Sequence, residues 1–303
     1  MQLIKPDTNI DFVGKRKLAF VFSIVLIVIG LASLLVKGGP DYGIDFAGGT
    51  LVQVKFANPT DAAAIKKAMD GLDLGDPVVQ RFGDGQNEFL IRVEESSAEL
   101  QGLAQQIETS LEKTYEKDSV DIRRVEMVGP QVGKDLRSKG LKAILYAMLG
   151  ILVYISWRFE FRFAVGAIVA LVHDVVITLG AFSLFGKEID LPIIAAFLAI
   201  IGYSLNDTII VYDRIRENLG KHNKQNFEFI VNRSINETLS RTLLTSGTTM
   251  LVILALFILG GGVIHNFAFA MLVGVLIGTY SSIFVASPIL IIWQKKKAAA
   301  AGQ

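Results

Sequence analysis

Residues Leu191 to Asn218 read LPIIAAFLAIIGYSLNDTIIVYDRIREN. The first part, Leu191–Val211, has the length of about 20 mostly apolar residues that a bilayer-crossing helix needs, and Asp213, Arg214 and Arg216 close it with charge. Gly202-Tyr203-Ser204-Leu205-Asn206-Asp207-Thr208 interrupts the run and places a carboxylate inside it. A carboxylate is costly in lipid, so the stretch reads as a membrane span with a functional group built into it.

Outward from this stretch, five more apolar runs appear: Leu18–Val36, Leu141–Trp157, Phe163–Phe185, Leu243–Leu259 and Phe267–Trp293. The last is long enough to tilt or to project beyond the bilayer near Pro288. Residues 37–139 contain no such run, so the order is one span, a polar domain, then five spans (140–293). Basic residues mark one side: Lys5, Lys15, Arg16 and Lys17 before the first span, Arg158 and Arg162, then Arg214, Arg216, Lys221, Lys224, Arg233 and Arg241, and Lys295 to Lys297 at the tail. The positive-inside rule therefore predicts a cytoplasmic amino terminus (1–17), a cytoplasmic tail (294–303) and an extracytoplasmic domain. The apolar core of the first run exceeds the 7–15 residues of a signal peptide, which predicts a retained span. Gln225–Leu239 is expected to be a cytoplasmic interfacial helix with Phe227, Ile230 and Ile235 toward the membrane.

Composition agrees. Hydrophobic residues make up 51% of the 303, charged residues 19%, and mean hydropathy is +0.48. Soluble domains carry about a quarter charged residues, so a free cytosolic enzyme is excluded. Thirty basic against 29 acidic residues argue against a general nucleic-acid binder. The absence of cysteine excludes disulfides, thiol nucleophiles and Cys-ligated zinc. No metal-ligand motif and no cofactor motif is present, and no HExxH or paired-aspartate motif suggests a protease.

Within the polar domain, Thr50–Phe56 alternates as a strand. Asn58-Pro59-Thr60-Asp61 leads into a helix at Ala62–Asp70. Pro77–Phe82 and Glu88–Val93 read as strands around the hairpin signal Gly83-Asp84-Gly85. Ser97–Tyr115 has helical spacing at Leu100, Leu103, Ala104, Ile107 and Leu111, and Val120–Val128 is a last strand. The expected fold is an α-helical integral membrane protein of six transmembrane helices. It has one extracytoplasmic α+β domain (βαββαβ, ferredoxin-like) between the first and second. Gly43–Gly49 (GIDFAGG) lacks the lysine of a phosphate loop and leads into a strand, so it reads as a glycine-permitted joint. Gly38, Gly39 and Gly129-Pro130 are candidate hinges, and Gly274 and Gly278 form a small-xxx-small helix-packing pair.

Ionisable residues at membrane depth are the candidate site. Asp207 and Arg241 belong to neighbouring antiparallel spans. Thr238, Arg241, Thr242, Thr245, Thr248 and Thr249 recur at helical spacing, as if on one face. A contact between Asp207 and Arg241 that forms and breaks would let the carboxyl hold and release a proton; a fixed ion pair setting helix register is the alternative. Asp174, with His173 beside it, is a secondary candidate, as are Asn206 and Thr245.

Three motifs together, GIDFAGG at Gly43–Gly49, YSLNDTIIVYDRIREN at Tyr203–Asn218 and NRSINETLSRTLLTS at Asn232–Ser246, resemble the SecD/SecF family of protein-export membrane subunits, on the SecF side. The family is similar to half-units of the resistance-nodulation-division exporters. The resemblance implies a twelve-span unit with SecD, bound to the SecYEG channel, often with YajC and YidC, in the bacterial cytoplasmic (inner) membrane. It implies that the unit uses the proton-motive force to draw unfolded preproteins across after the ATP-driven motor has acted, with Asp207 and Arg241 on the proton route and no catalysis. Gly43, Asp45, Gly48, Gly49, Asp213 and Arg214 are the remaining family-motif residues. The chain is expected to stand separate from SecD rather than fused to it. A scaffold without proton coupling and a small-molecule exporter remain the alternatives.

Overall fold

The computed structural model describes residues 8–72, 74, 77–82, 87–93, 100–115, 119–222 and 224–300. Among them, six helices are long and apolar enough to cross a membrane. The first, α1 (Arg16–Val36), is followed by one helical turn, α2 (Ile44–Ala47), and then by the α+β domain. The domain comprises β1 (Gly49–Phe56), α3 (Ala62–Ala68), β2 (Val78–Arg81), β3 (Glu88–Val93), α4 (Leu100–Thr114) and β4 (Val120–Val128). The remaining helices are α5 (Pro130–Arg158), α6 (Phe161–Leu184), α7 (Leu191–Lys221), α8 (Phe227–Leu259) and α9 (Gly261–Ser281). A π-helical turn at Ser282–Ala286 carries α9 into α10 (Ser287–Ala300), and the three together make the sixth span.

The sheet order is β2-β3-β1-β4 with every neighbouring pair antiparallel, which is the expected ferredoxin-like arrangement. Alternation in β1 sends Val52, Val54 and Phe56 inward against Ile65 and Met69 of the α3 side and Leu103, Ile107 and Leu111 of α4. Fully burying each such side chain contributes about 1.5–3 kcal/mol, so this one face holds the small domain together. Asp61 caps α3 by accepting from the Ala64 N–H at 2.7 Å. Register slips between Gln53 and Val54 opposite β4, where Arg123 is the extra residue of a bulge. The turn Gly83-Asp84-Gly85 and the expected helix start at Ser97 lie outside the described residues, as do residues 1–7, with Lys5, and 301–303.

Two expectations are corrected. The helix that carries the second span starts not at Leu141 but at Pro130, within the stretch assigned to the domain. Gly129 caps it in an extended conformation and Pro130 sits in its first turn, where a missing N–H costs nothing. Its polar first turns escape a search for apolar runs. The interfacial helix expected at Gln225–Leu239 is instead the first half of α8, uninterrupted from Phe227 to Leu259. Ile230 and Ile235 are both buried in the protein, Ile235 in one cluster with Tyr212 and Ile215. Nothing between Phe227 and Leu259 stops a helix, since Gly247 is tolerated in a helix interior. At about 1.5 Å per residue, α8 extends well past the bilayer core.

Three contacts fix the bundle. Gly30 of α1 and Gly180 of α6 touch backbone to backbone, and a Cβ on Gly180 would stand 2.7 Å from the Gly30 Cα. Gly274 and Gly278 let α9 close on α7, because a Cβ there would fall 2.3 Å from Ile200 and 2.9 Å from Ser204. The amino-terminal segment is strapped to α8. Asn232 accepts from the Phe12 N–H at 2.9 Å and Asn236 from the Ile10 N–H at 2.8 Å, while both amides donate to the Ile10 carbonyl. The π turn precedes Pro288, which has no N–H and whose ring cannot approach the carbonyl four residues back. Ser287 Oγ donates to the Ser282 carbonyl at 2.8 Å across this widened turn.

Candidate functional site

Asp207 lies in α7 with no exposed surface. The helix turns it toward α8, where Ser246 Oγ donates to Asp207 Oδ2 at 3.1 Å. Thr279 of α9 donates in turn to Ser246 Oγ at 2.7 Å. The other oxygen, Oδ1, has no partner among the described residues; neither has the buried hydroxyl of Thr242, one turn before Ser246 on the same face of α8. A buried carboxylate with an unsatisfied oxygen is a costly arrangement.

The expected ion pair is not formed. Arg241 is exposed on α8 and none of the salt bridges joins it to Asp207, although it remains within electrostatic reach. The polar stripe on α8 is not one face either. Thr238, Thr242 and Ser246 are buried, whereas Arg241 and Thr248 point outward and Thr245 and Thr249 stand between. Asn206 is exposed and turned away from Asp207's partners. The residue that sequence reasoning missed is Ser246, a single hydroxyl beside the more conspicuous threonines. Its position four residues beyond Thr242 was the available signal.

Asp174 is the hub of a second buried network. Its Oδ1 pairs with His173 Nδ1 at 2.8 Å, and its Oδ2 accepts from Ser204 Oγ of α7 at 2.6 Å and Ser281 Oγ of α9 at 2.8 Å. His173 Nε2 reaches Ser23 of α1 at 3.0 Å, and Ser23 bonds the Tyr280 hydroxyl at 3.1 Å. His173 is thus the partner of Asp174, as its position suggested, while Ser23, Ser204, Tyr280 and Ser281 come from distant segments that no local pattern connects. Among the described residues, no group of His, Cys, Asp and Glu is arranged to hold a metal ion.

GIDFAGG forms the joint between the bundle and the domain. Asp41 and Gly43 exchange backbone hydrogen bonds with Ile189, and Asp45 Oδ2 accepts from the Leu191 N–H at 2.9 Å, at the start of α7. Gly48 has φ +81°, and a Cβ there would meet Pro130 at 2.9 Å, so the position admits only glycine. Arg92 of β3 spans the joint to Glu188 at 2.8 Å and to the Tyr42 carbonyl at 2.7 Å. Asp213 and Arg214, at the opposite end of α7, belong to a charged cluster in which Arg214 contacts Glu217 and Glu237 at 2.6 and 3.3 Å.

The joint carries its own pH response. Asp190, which accepts from the Ile193 N–H at 3.1 Å, is pushed up to about 6 by burial and, less, by Asp45. Burial also raises Glu188 despite Arg92. A carboxyl whose folded value is raised binds extra protons in the folded joint. Its stabilising contribution is therefore complete below the unfolded value and lost as pH rises through about 6. Hydrogen exchange of residues 41–48 and 188–193 is expected to speed up between pH 5 and 7 more than solvent chemistry alone dictates, by a factor on the order of 10. Asp190→Asn removes that excess; an unchanged excess in this variant excludes Asp190 as its source.

The family described as "Protein export membrane protein SecD/SecF, C-terminal" matches residues 106–296, and "SecD/SecF GG Motif" matches residues 33–60, which include GIDFAGG. The chain is 52% identical to the protein translocase subunit SecF of Magnetococcus marinus, over 96% of this chain and 94% of that one. It is 49% identical to that of Calditerrivibrio nitroreducens, over 95% of each. It superposes on the crystal structure of SecDF, a translocon-associated membrane protein from Thermus thermophilus, with a TM-score of 0.87 at 35% identity, covering 97% of this chain and 40% of that one. On SecDF in a super-membrane-facing form, at the same 35% identity, the TM-score is 0.73, covering 100% of this chain and 41% of that one.

Proposed function

The chain belongs to the SecD/SecF family of protein-export membrane proteins, and from this premise we propose that it couples the proton-motive force to the late, ATP-independent stage of protein export. It does so as the SecF-like half of a twelve-span unit with a SecD partner, since the SecDF chain it superposes on is more than twice its length. The unit binds SecYEG, with YajC and YidC as further neighbours, and acts on unfolded preproteins. Both termini lie in the cytoplasm and the α+β domain on the far side of the inner membrane, in keeping with the basic loops at the end of the bundle opposite the domain.

The observation that carries the reading is the setting of Asp207: fully buried in a membrane span, hydrogen-bonded among the described residues through one oxygen only, with Arg241 one helix away and unpaired to it. An unpaired carboxylate at that depth is stabilised by taking up a proton or by a cation moving in beside it. Arg241 is that cation. When its side chain swings toward Asp207 the proton leaves; when it swings back to the exposed position of this structure, a proton enters. Each exchange changes what holds α7 against α8. Because α7 begins at the joint, where Asp45 and Asp190 accept from its first N–H groups, movement of α7 reaches the domain, which would grip and release the emerging polypeptide. The two SecDF forms, matched with different closeness at equal identity, are consistent with a fold that has more than one arrangement.

The test uses membrane vesicles with SecD present and a preprotein arrested midway, after the ATP-driven motor SecA is stopped. Completion of translocation is expected to require an imposed proton gradient, and Arg241→Met is expected to lose that requirement together with the gain in completion. Normal, gradient-driven completion with Arg241→Met would identify the chain as a scaffold without proton coupling.

A further inference from the structure

The two buried carboxylates are not separate. Ser204 and Asp207 sit three residues apart on α7, and Ser204 donates to Asp174 while Asp207 accepts from Ser246. Thr279 and Ser281 sit two residues apart on α9, and Thr279 donates to Ser246 while Ser281 donates to Asp174. The bonds therefore close a ring. It runs from Asp174 to Ser204, along α7 to Asp207, across to Ser246 and Thr279, and along α9 through Ser281 back to Asp174. Helical residues two apart project about 200° from each other, which is why α9 can serve both carboxylates from opposite sides at one level. Gly278, packed on Ser204, brings α9 close enough for this.

The ring ends where the helix changes form. Ser282 opens the π turn, immediately after Thr279-Tyr280-Ser281. A π turn holds one residue more than the α-helix around it and occurs frequently at functional sites. Helix on either side of it keeps its hydrogen bonds if the extra residue migrates along the chain, so Thr279–Ser281 has a second register available without breaking α9.

We propose that Asp174 is a positioning residue for Asp207: through Ser204 on α7 and Ser281 on α9 it fixes the register at which Ser246, held by Thr279, meets the Asp207 carboxyl. A change of charge at Asp207 alters its hold on Ser246, and the Thr279–Ser281 segment transmits that change to Asp174. Asp174 keeps its proton state through the cycle, with His173 as its fixed partner. His173, Ser204, Ser281 and, through His173, Ser23 and Tyr280 are the titratable and polar groups packed around it. Around Asp207, Ser246 is hydrogen-bonded to it and the exposed Arg241 is within electrostatic reach; Thr242 lies one turn before Ser246 on α8, and Tyr203 one turn before Asp207 on its own helix. This inference rests on the proposed proton exchange at Asp207.

The test is an infrared pH titration of the chain in lipid with its SecD partner, with Asp207→Asn identifying the Asp207 carboxyl band. Thr279→Val, Ser281→Ala and Ser204→Ala are each expected to move the midpoint of that band by at least about half a pH unit. Thr279→Ser, which keeps the hydroxyl, is expected to restore the native midpoint. Ser23→Ala, in the Asp174 network but outside the ring, is expected to leave it in place. If Asp207 titrates but Ser281→Ala and Ser204→Ala leave its midpoint unmoved in folded, SecD-bound protein, the ring is overturned and the proton exchange stands. If no Asp207 band titrates between about pH 4 and 10, both are overturned.

Discussion

Asp207→Asn is expected to reduce gradient-driven completion of translocation to the level seen with no gradient. The substitution preserves shape and can still accept from Ser246 Oγ at its native 3.1 Å, so SecD binding and melting temperature are expected to stay near native. What it removes is the ability to exchange a proton. A membrane voltage of 100 mV is worth about 2.3 kcal/mol per charge moved, and with tenfold per about 1.4 kcal/mol that is a bias of roughly fortyfold. A loss of on the order of tenfold or more in the gradient-dependent rate is therefore the expected reading. Ser246→Ala, which leaves the carboxyl but strips its one hydrogen bond, is expected to fall between. Full activity of Asp207→Asn would move the ion-coupling step elsewhere in the assembly.

Gly180→Leu is expected to be the most destabilising single change in the bundle. Its Cβ would stand 2.7 Å from the Gly30 Cα, a backbone atom that no rotamer change can move aside. The first span must withdraw from α6, and with it go the Ser33–Ser183 hydrogen bond at 2.8 Å, the donation from Lys37 to the Ser183 carbonyl and the His173–Ser23 bond at 3.0 Å. Overpacking costs about 1–3 kcal/mol, occasionally more, and the lost hydrogen bonds add about 1 kcal/mol each. A melting temperature lower by roughly 5–15 °C in detergent with the SecD partner is expected. Gly150→Leu is the control, since nothing lies within 4 Å of a Cβ there. Equal melting of the two variants would mean that the Gly30–Gly180 contact does not hold α1.

The fold was largely legible because its two periodicities are strong. Apolar runs of bilayer length mark the spans, and β1 and β3 alternate cleanly enough to anchor the βαββαβ order. Where legibility failed, a helix ran beyond its lipid-facing part. The first turns of α5 and the first half of α8 are polar, and their helicity comes from Pro130 at an N-terminus and from packing of Val231 and Ile235 in one cluster with Tyr212 and Ile215. The candidate site was legible as residue types at a depth. Asp207 and Asp174 stand out because charge in an apolar run is expensive, whichever way it faces. Their partners did not, since Ser246, Ser204 and Ser281 are ordinary residues for a membrane helix and acquire meaning only when three helices meet. The facing of Arg241 was misread for a related reason: the hydroxyls of Thr238, Thr242 and Ser246 define one face, and Arg241 lies beside it rather than on it.

The strap that ties Ile10–Val13 to Asn232 and Asn236 bears on how the chain is made. The Phe12 N–H and its acceptor on Asn232 are 220 residues apart. At a synthesis rate of about 5–20 residues per second, the ribosome needs roughly 10–45 s to produce the acceptor after the donor has emerged. During that interval Phe12 and Val13, buried in the finished bundle, lack the part of their cluster that α8 supplies, Val231, Ile235 and Leu239. This segment is thus translated well before it is locked, once the start of α8 and then Phe284, whose ring lies 5.7 Å from that of Phe12, have been made.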